Sequence, residues 1–287
     1  MRFFAFLCFL LVLHSCDIKG RRPISPSAPP KEDVSKTIQG INISLKTDAL
    51  ESEMLQWLYQ GDSILPNGEV LWYPDMEAAT MTGITENTHL RASIDSVFQA
   101  EDGTGKTVTV VIIENKVFEN GLAVDCHACP AYLGIAVFEA KEEQFQLLRF
   151  RKMLMPFGNW GGFQGYRILH AGPETDVLVL QPGFSNMGQT NGQEVWLDFV
   201  HFSEILQYES IDKSESFDPK GNSGGLSMNS EVLLHGSASL KFYDVTIEQR
   251  IIYAADSLRN TNYREEVRRM DFRYDALRSM YVPILNP

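Results

Sequence analysis

The residues with the widest chemical options are Cys126-His127-Ala128-Cys129. Two thiols at this spacing can bridge, run thiol–disulfide exchange or supply part of a zinc site. In an exchange reaction Cys126 would be the attacking thiolate, His127 the neighbour that lowers its pKa and Cys129 the resolving thiol. That chemistry favours a helix N-terminus, where the dipole stabilises a thiolate. The residues that follow, Leu133, Ile135, Val137 and Phe138 with Gly134 among them, fit a strand better. Attachment of a c-type haem needs His directly after the second Cys, and Pro130 stands there. A zinc site built on Cys126, His127 and Cys129 would still need a fourth ligand, for which His170, His201 and His235 are the distant candidates. The simplest expectation is a structural disulfide closing a tight turn before a strand. It requires no cofactor. The alternative is a redox pair or a thiolate-bound metal such as zinc.

The compartment follows from the N-terminus. Met1-Arg2 precedes an apolar run from Phe3 to Leu13, of signal-peptide length and too short to span a bilayer. It ends Leu13-His14-Ser15-Cys16, which resembles the lipobox of bacterial lipoproteins. The resemblance implies cleavage after Ser15 and lipid on Cys16, with acyl chains contributing about 0.8 kcal/mol per buried CH₂ to anchoring. Cys8 would leave with the signal at residues 1–15, so Cys126 and Cys129 remain as thiols in an oxidising compartment, the periplasm or cell surface. The formal charge of −12 becomes −13 once Arg2 is lost, which argues against nucleic acid as a partner. The expected partners are the membrane, through the lipid, and an envelope protein or glycan.

Two loops carry binding chemistry. Phe157-Gly-Asn-Trp-Gly-Gly-Phe-Gln-Gly-Tyr166 mixes aromatics with glycines, and Gln181-Pro-Gly-Phe-Ser-Asn-Met-Gly-Gln-Thr-Asn-Gly192 is similar. Aromatic faces beside amides suit sugars or flat apolar ligands. If both loops leave one end of a sheet, Trp160, Phe163, Phe184 and Asn186 would wall a cleft; the plainer expectation is that the aromatics plug the end of the fold.

Two further motifs dissolve on inspection. Gly221-Asn-Ser-Gly-Gly225 resembles the nucleophile motif of trypsin-like serine proteases, which implies Ser223 as nucleophile with the N–H groups of Gly221 and Ser223 as oxyanion donors. None of His89, His127, His170 or His201 has the sequence context of that family's base, although Asp176 looks superficially like its acid. A serine without a base is not activated, and no catalytic residue is assigned. Asp102-Gly-Thr-Gly-Lys-Thr107 has phosphate-loop character, but Ala100 replaces the first glycine and a strand follows, so a hairpin turn is expected.

These residues need elements to hold them. Residues 16–36, with Pro23, Pro26, Pro29 and Pro30, read as a lipidated Cys and a disordered tether that reaches about 60 Å when extended. From 37 to 287 a β-rich domain is expected. Ile38, Ile41, Ile43 and Leu45 suggest a short strand. Asp48-Ala-Leu-Glu51 is a capping box before Leu50, Met54, Trp57 and Leu58 at helical spacing, with Gly61 as the stop. Beyond it the period is two: Leu90, Ala92 and Ile94; Val108, Val110 and Ile112; Leu133, Ile135 and Val137; Phe145, Leu147 and Phe150 with one slip; Val177–Leu180; Val195, Leu197 and Phe199; Val232–Ile252 as a strand or hairpin; and a last strand from Met270. Asp102-Gly103, Asn120-Gly121, Pro182-Gly183 and Asn191-Gly192 supply turns. The expected class is mainly β, an antiparallel sandwich, barrel or curved sheet with one short N-terminal helix. The polar segment 209–230 reads as a long surface loop.

Overall fold

The computed structural model describes residues 47–60, 63–76, 79, 84, 88–124, 129–141, 144–158, 163, 165–181, 184–186, 189–209, 213–217, 223–236, 241–254 and 263–284. The lipobox, the tether, the expected strand at Ile38–Leu45, and Gly61, Cys126, His127, Trp160 and Pro182-Gly183 lie outside those residues. The chain divides into two units, Met1–Gln39 and Gly40–Pro287, and the described residues all belong to the second.

The fold is mainly β with antiparallel sheets and one short helix, α1 (Thr47–Tyr59). A first sheet is contiguous in sequence: β1 (Ser63–Ile64), β2 (Val70–Trp72), β3 (Leu90–Glu101), β4 (Thr107–Glu119), β5 (Leu122–Ala123), β6 (Ala131–Lys141) and β7 (Gln144–Phe157), in spatial order β1-β2-β3-β4-β6-β7 with β5 also on β4. The chain then alternates between two sheets. β8 (Tyr166–Gly172) and β9 (Thr175–Leu180) enter the second, β10 (Phe184–Asn186) and β11 (Gln189–Asn191) the third, and β12 (Gln193–Asp198) and β13 (Ser203–Glu209) return to the second. β14 (Lys213–Phe217), β15 (Ser223–His235), β16 (Asp244–Ala254), β17 (Tyr263–Asp275) and β18 (Met280–Pro283) complete the third.

Three apolar interfaces stack these layers. Met54, Leu55, Leu58 and Tyr59 of α1 cover Val111, Ile113, Ala136 and Phe138 on one face of the first sheet. The opposite face, with Val108, Val110, Ile112, Leu133, Ile135 and Val137, packs on Leu178, Leu180, Val195 and Leu197 of the second sheet. The other side of the second sheet, with Val177, Val179, Trp196 and Leu206, packs on Val245, Ile247 and Phe242 beside the third. A helix and three sheets therefore form four layers. This explains why β4, β9 and β12 read as nearly unbroken apolar runs: each is covered on both faces.

Bulges reconcile the sequence period with these faces. In β3 the register shifts between Ile94 and Ser96. Ala92 and Ile94 therefore face the helix, whereas Phe98 and Ala100 face the second sheet. The slip read between Leu147 and Phe150 is a second bulge, which leaves Leu148 43% exposed. A third, opposite Gly134, leaves the Lys152 carbonyl to Asn115 Nδ2 at 2.9 Å and to Tyr59 Oη at 3.1 Å. Lys152 Nζ in turn donates to the Tyr59 carbonyl at the end of α1 (2.8 Å).

Three expectations need correction. The helix stops at Gln60, which takes the left-handed conformation (φ 46°) one residue before the expected glycine. The last long strand begins at Tyr263 rather than Met270, because its charged first half has no apolar alternation to reveal it. The segment 209–230 is not one long loop. It contains β14 and the first half of β15, whose Ser and Gly residues pair through backbone groups that composition does not report. Val232–Ile252 resolves as a hairpin of β15 and β16.

The three sheets are tied together at one corner. Gly103 N–H donates to the Glu174 carbonyl (2.6 Å) and Tyr243 N–H to the Ala171 carbonyl (2.7 Å). Gly172 lies so close to the Lys241 main chain that an added Cβ would overlap that carbonyl oxygen. Gly172→Ala must therefore push the second sheet and the segment before β16 apart. Urea unfolding should show a loss of about 1–3 kcal/mol, with little effect from an alanine at the open Gly121 beyond its positive-φ strain.

Candidate functional site

The cysteine motif is placed by a turn and two strands. Asn120 (φ 52°) and Gly121 (φ 82°) form the left-handed pair of a two-residue hairpin, which folds β5 back on β4. The chain leaves β4 after Val124, whose N–H donates to the Val117 carbonyl (2.8 Å), and rejoins it as β6 with Tyr132 opposite Asn115. Cys129 is disulfide-bonded, and its partner lies outside the described residues. Two residues later β6 begins, so a strand and not a helix N-terminus follows the motif. Among the described residues no group of three or more His, Cys, Asp or Glu is arranged to hold a metal ion. His170, His201 and His235 have other partners. His170 Nδ1 is 2.9 Å from Asp176 Oδ1, His201 Nδ1 is 2.8 Å from Asp198 Oδ2, and His235 Nε2 is 2.8 Å from Thr246 Oγ1.

Ser223 and Asp176 belong to opposite ends of the molecule. Ser223 opens β15 and His235 closes it, which separates them by about 40 Å at the usual strand rise. The His170–Asp176 pair sits at the His235 end, with its imidazole 6.4 Å from the Tyr243 ring. Asp176 is occupied structurally, its Oδ2 accepting the Glu101 N–H at 2.8 Å. The Asp102–Thr107 stretch is the expected turn between β3 and β4: Asp102 Oδ1 accepts from Thr104 N–H, Thr104 hydroxyl and Lys106 N–H at 2.8, 2.7 and 3.3 Å.

The two aromatic–glycine loops are rooted side by side. Gly165, at the end of the first, accepts a hydrogen bond from the N–H of Gln181, at the start of the second (3.1 Å). Phe163 is half-buried against Phe157, with ring centroids 5.0 Å apart, and its N–H donates to Glu114 Oε1 (2.9 Å). Phe184 and Asn186 lie in β10, paired with Asn191 and Gln189 of β11. The loops are further tied to the first sheet by Tyr166, whose hydroxyl donates to Asp95 at the β3 bulge. Burial and then the Asp95 hydrogen bond push that phenol up to about 12.

Sequence reasoning missed the polar cluster beneath these roots. Glu194 is buried in β12 and ringed by side-chain donors. Arg167 of β8 donates to both its oxygens, at 3.1 and 3.0 Å. Gln181 Nε2 donates to Oε1 (3.0 Å), and the buried Tyr208 hydroxyl of β13 donates to Oε2. Residues from the last turn before the second loop and the first strand after it thus share one carboxylate. The available signal was a single Glu just before the apolar run Val195–Phe199, which periodicity alone reads as a strand end. Burial on its own would raise the Glu194 carboxyl. The bonds from Arg167, Tyr208 and Gln181 outweigh it and hold the group below the usual carboxylate range. A second buried acid, Asp198, closes the other end of β12 by accepting from Val200 N–H (2.9 Å) and His201.

No protein-family model, curated protein or solved structure matches the chain.

Because the folded Glu194 pKa lies below its unfolded value, ionised Glu194 adds stability that is complete above the unfolded value of about 4.3 and is lost as pH falls through the depressed folded value. Glu194→Gln should flatten the acid limb of a stability-versus-pH curve measured by urea unfolding. Glu194→Ala, which strands Arg167 and Tyr208, should cost on the order of 3 kcal/mol at pH 7, at the low end for a buried pair because the Arg167 side chain is 40% exposed.

Proposed function

We propose that the chain is a lipid-anchored protein of the bacterial cell envelope whose β-rich domain is a non-enzymatic binding module. It binds an envelope protein or glycan through the two aromatic–glycine loops. The observation that carries this reading is the shared root of those loops at Gly165 and Gln181, above the Glu194–Arg167 pair. A rigid, fully hydrogen-bonded base is what a glycine-rich loop and the β10–β11 hairpin need if their aromatic side chains are to be presented in one arrangement. The anchor rests on Leu13-His14-Ser15-Cys16, and the Cys126–Cys129 bridge is taken as structural.

A second reading keeps Cys126, His127 and Cys129 as a thiol-redox or metal-handling site. The disulfide at Cys129 does not decide between the two, since a bridged pair can be structural or can take part in exchange. Denaturation without reductant, in chelator, followed by thiol titration separates the two. A structural bridge gives no reactive thiol, and its removal by Cys126→Ala with Cys129→Ala should cost about 2 kcal/mol for so small a ring. Two reactive thiols on isolation from the envelope would favour the second reading.

Cys16→Ala should move the protein from the membrane to the soluble fraction on cell fractionation. A photo-crosslinking residue at position 160 or 184 should trap an envelope component in growing cells. If neither position gives an adduct that competes with the untagged protein, the loops are not a binding site.

A further inference from the structure

The outer edge of β17 is built to pair with itself. β17 pairs with β16 over Tyr263–Phe272, from Val245 opposite Phe272 to Ala254 opposite Tyr263, without a bulge. On its other side β18 covers only Phe272–Asp275, and Ile284 N–H reaches the Asp271 carbonyl (2.8 Å). No described strand lies beyond Tyr263–Met270 on that side. Since the Asp271 carbonyl points outward and alternation is unbroken, the N–H and C=O groups of Glu265, Val267 and Arg269 point outward too. An edge with aligned donors and acceptors is a template for another strand.

The side chains on this edge identify the strand it fits. The sequence is Arg264-Glu265-Glu266-Val267-Arg268-Arg269. Laid antiparallel against a second copy with Val267 on the two-fold axis, Val267 faces Val267, Glu266 faces Arg268, and Glu265 faces Arg269. Every charged pair adjacent to the axis is then opposite in sign, on both faces of the sheet. The axis also falls on a residue whose main-chain groups point outward, so the central pair exchanges two hydrogen bonds. Val267 is 58% exposed, a branched side chain left in water at the centre of the seam. Charges on an edge strand often serve to repel neighbours. This order of signs repels an in-register parallel copy and an antiparallel one shifted by two residues, and attracts an antiparallel one in this register. The existing pairs Arg268–Glu266 (2.7 Å), Arg269–Asp271 (3.1 Å) and Arg250–Glu265 (2.6 Å) hold the same side chains on the same strand faces without using the outward backbone groups.

We infer that two copies of the chain join through the β17 edges, Glu265–Arg269 against Arg269–Glu265, into one continuous antiparallel sheet. The seam lies on the third sheet and uses none of the residues of the proposed loop site, so the two readings fail separately.

Cysteine trapping in the full-length chain tests this. Residues facing each other in a hydrogen-bonded antiparallel pair have Cα atoms about 5.5 Å apart, within disulfide range. Val267→Cys should give a disulfide-linked dimer on a non-reducing gel, while Glu231→Cys, exposed on β15, should not. Val267→Cys combined with Glu265→Arg and Glu266→Arg should lose the dimer, as should Val267→Cys combined with Arg268→Glu and Arg269→Glu. An equimolar mixture of those two triple variants should recover it, which also shows that both fold. The inference is overturned if Val267→Cys stays monomeric, if the charge-reversed variants cross-link as well alone as mixed, or if a dimer appears only after residues 285–287 are removed, which would make the chain's own end the occupant of the edge.

Discussion

The second sheet is covered on both faces, and the rest of the structure depends on that constraint. A sheet with one wet face can carry polar side chains at every second position. One enclosed between two other sheets cannot, so Val177–Leu180 and Val195–Phe199 must be apolar nearly throughout and any polar side chain must be fully partnered. Burying each aliphatic side chain contributes about 1.5–3 kcal/mol, which makes the middle layer the main source of cohesion. The polar exceptions stand at the strand ends. Glu194 and Asp198 bracket β12, and each is satisfied by several donors. Trp196, between them, is fully buried and is an exception, since its Nε1 has no hydrogen-bond partner among the described residues; its ring stands edge-on to Tyr281 at 5.8 Å.

The outer layers meet milder demands. α1 covers one face of the first sheet, and a polar network is sealed beneath it. Trp72 Nε1 donates to Asn115 Oδ1 (3.0 Å), and Asn115 Nδ2 serves the Tyr132 and Lys152 carbonyls. Gly134 makes room for this, since a Cβ there would lie 2.7 Å from both the Tyr59 hydroxyl and the Lys152 carbonyl. A bulge that would otherwise leave a carbonyl unpaired is thus converted into the anchor point of the helix. The ammonium of Lys152, held over the Trp72 ring at 5.3 Å, is kept below the ordinary lysine range by burial.

The strand period was legible in β3, β4, β6, β7, β9 and β12, where alternation or an apolar run is clear, while the short strands β2, β8, β10, β11 and β13 went unread. It failed where polar residues pair through the backbone alone, as in β14 and the first half of β15, or where charges replace the apolar alternation, as at the start of β17. Turn chemistry was legible at Asn120-Gly121 and Asp102-Gly103 because those positions need positive φ or an Asx side chain. At the candidate site the two loops were visible in composition, but their common root was not. It depends on a hydrogen bond between Gly165 and Gln181 and on a carboxylate shared by three strands, and neither leaves a periodic trace. The number of layers was equally hidden, since continuous apolar runs say that a strand is enclosed without saying by what.

The interleaving of the second and third sheets has a consequence for how the chain closes when it emerges N-terminus first. The first sheet is complete once Phe157 has appeared. Its face bearing Val110, Ile112 and Ile135 then waits for a cover. β8 and β9 begin that cover, but β10 and β11 leave for a sheet whose remaining strands start only at Lys213, before β12 and β13 return. The second sheet is complete only at Glu209, and its far face, with Val177, Val179 and Trp196, then stays uncovered until the C-terminal hairpins complete the third. A half-emerged chain therefore carries a finished sheet with one naked oily face, the kind of surface that calls for a chaperone until synthesis or export is over.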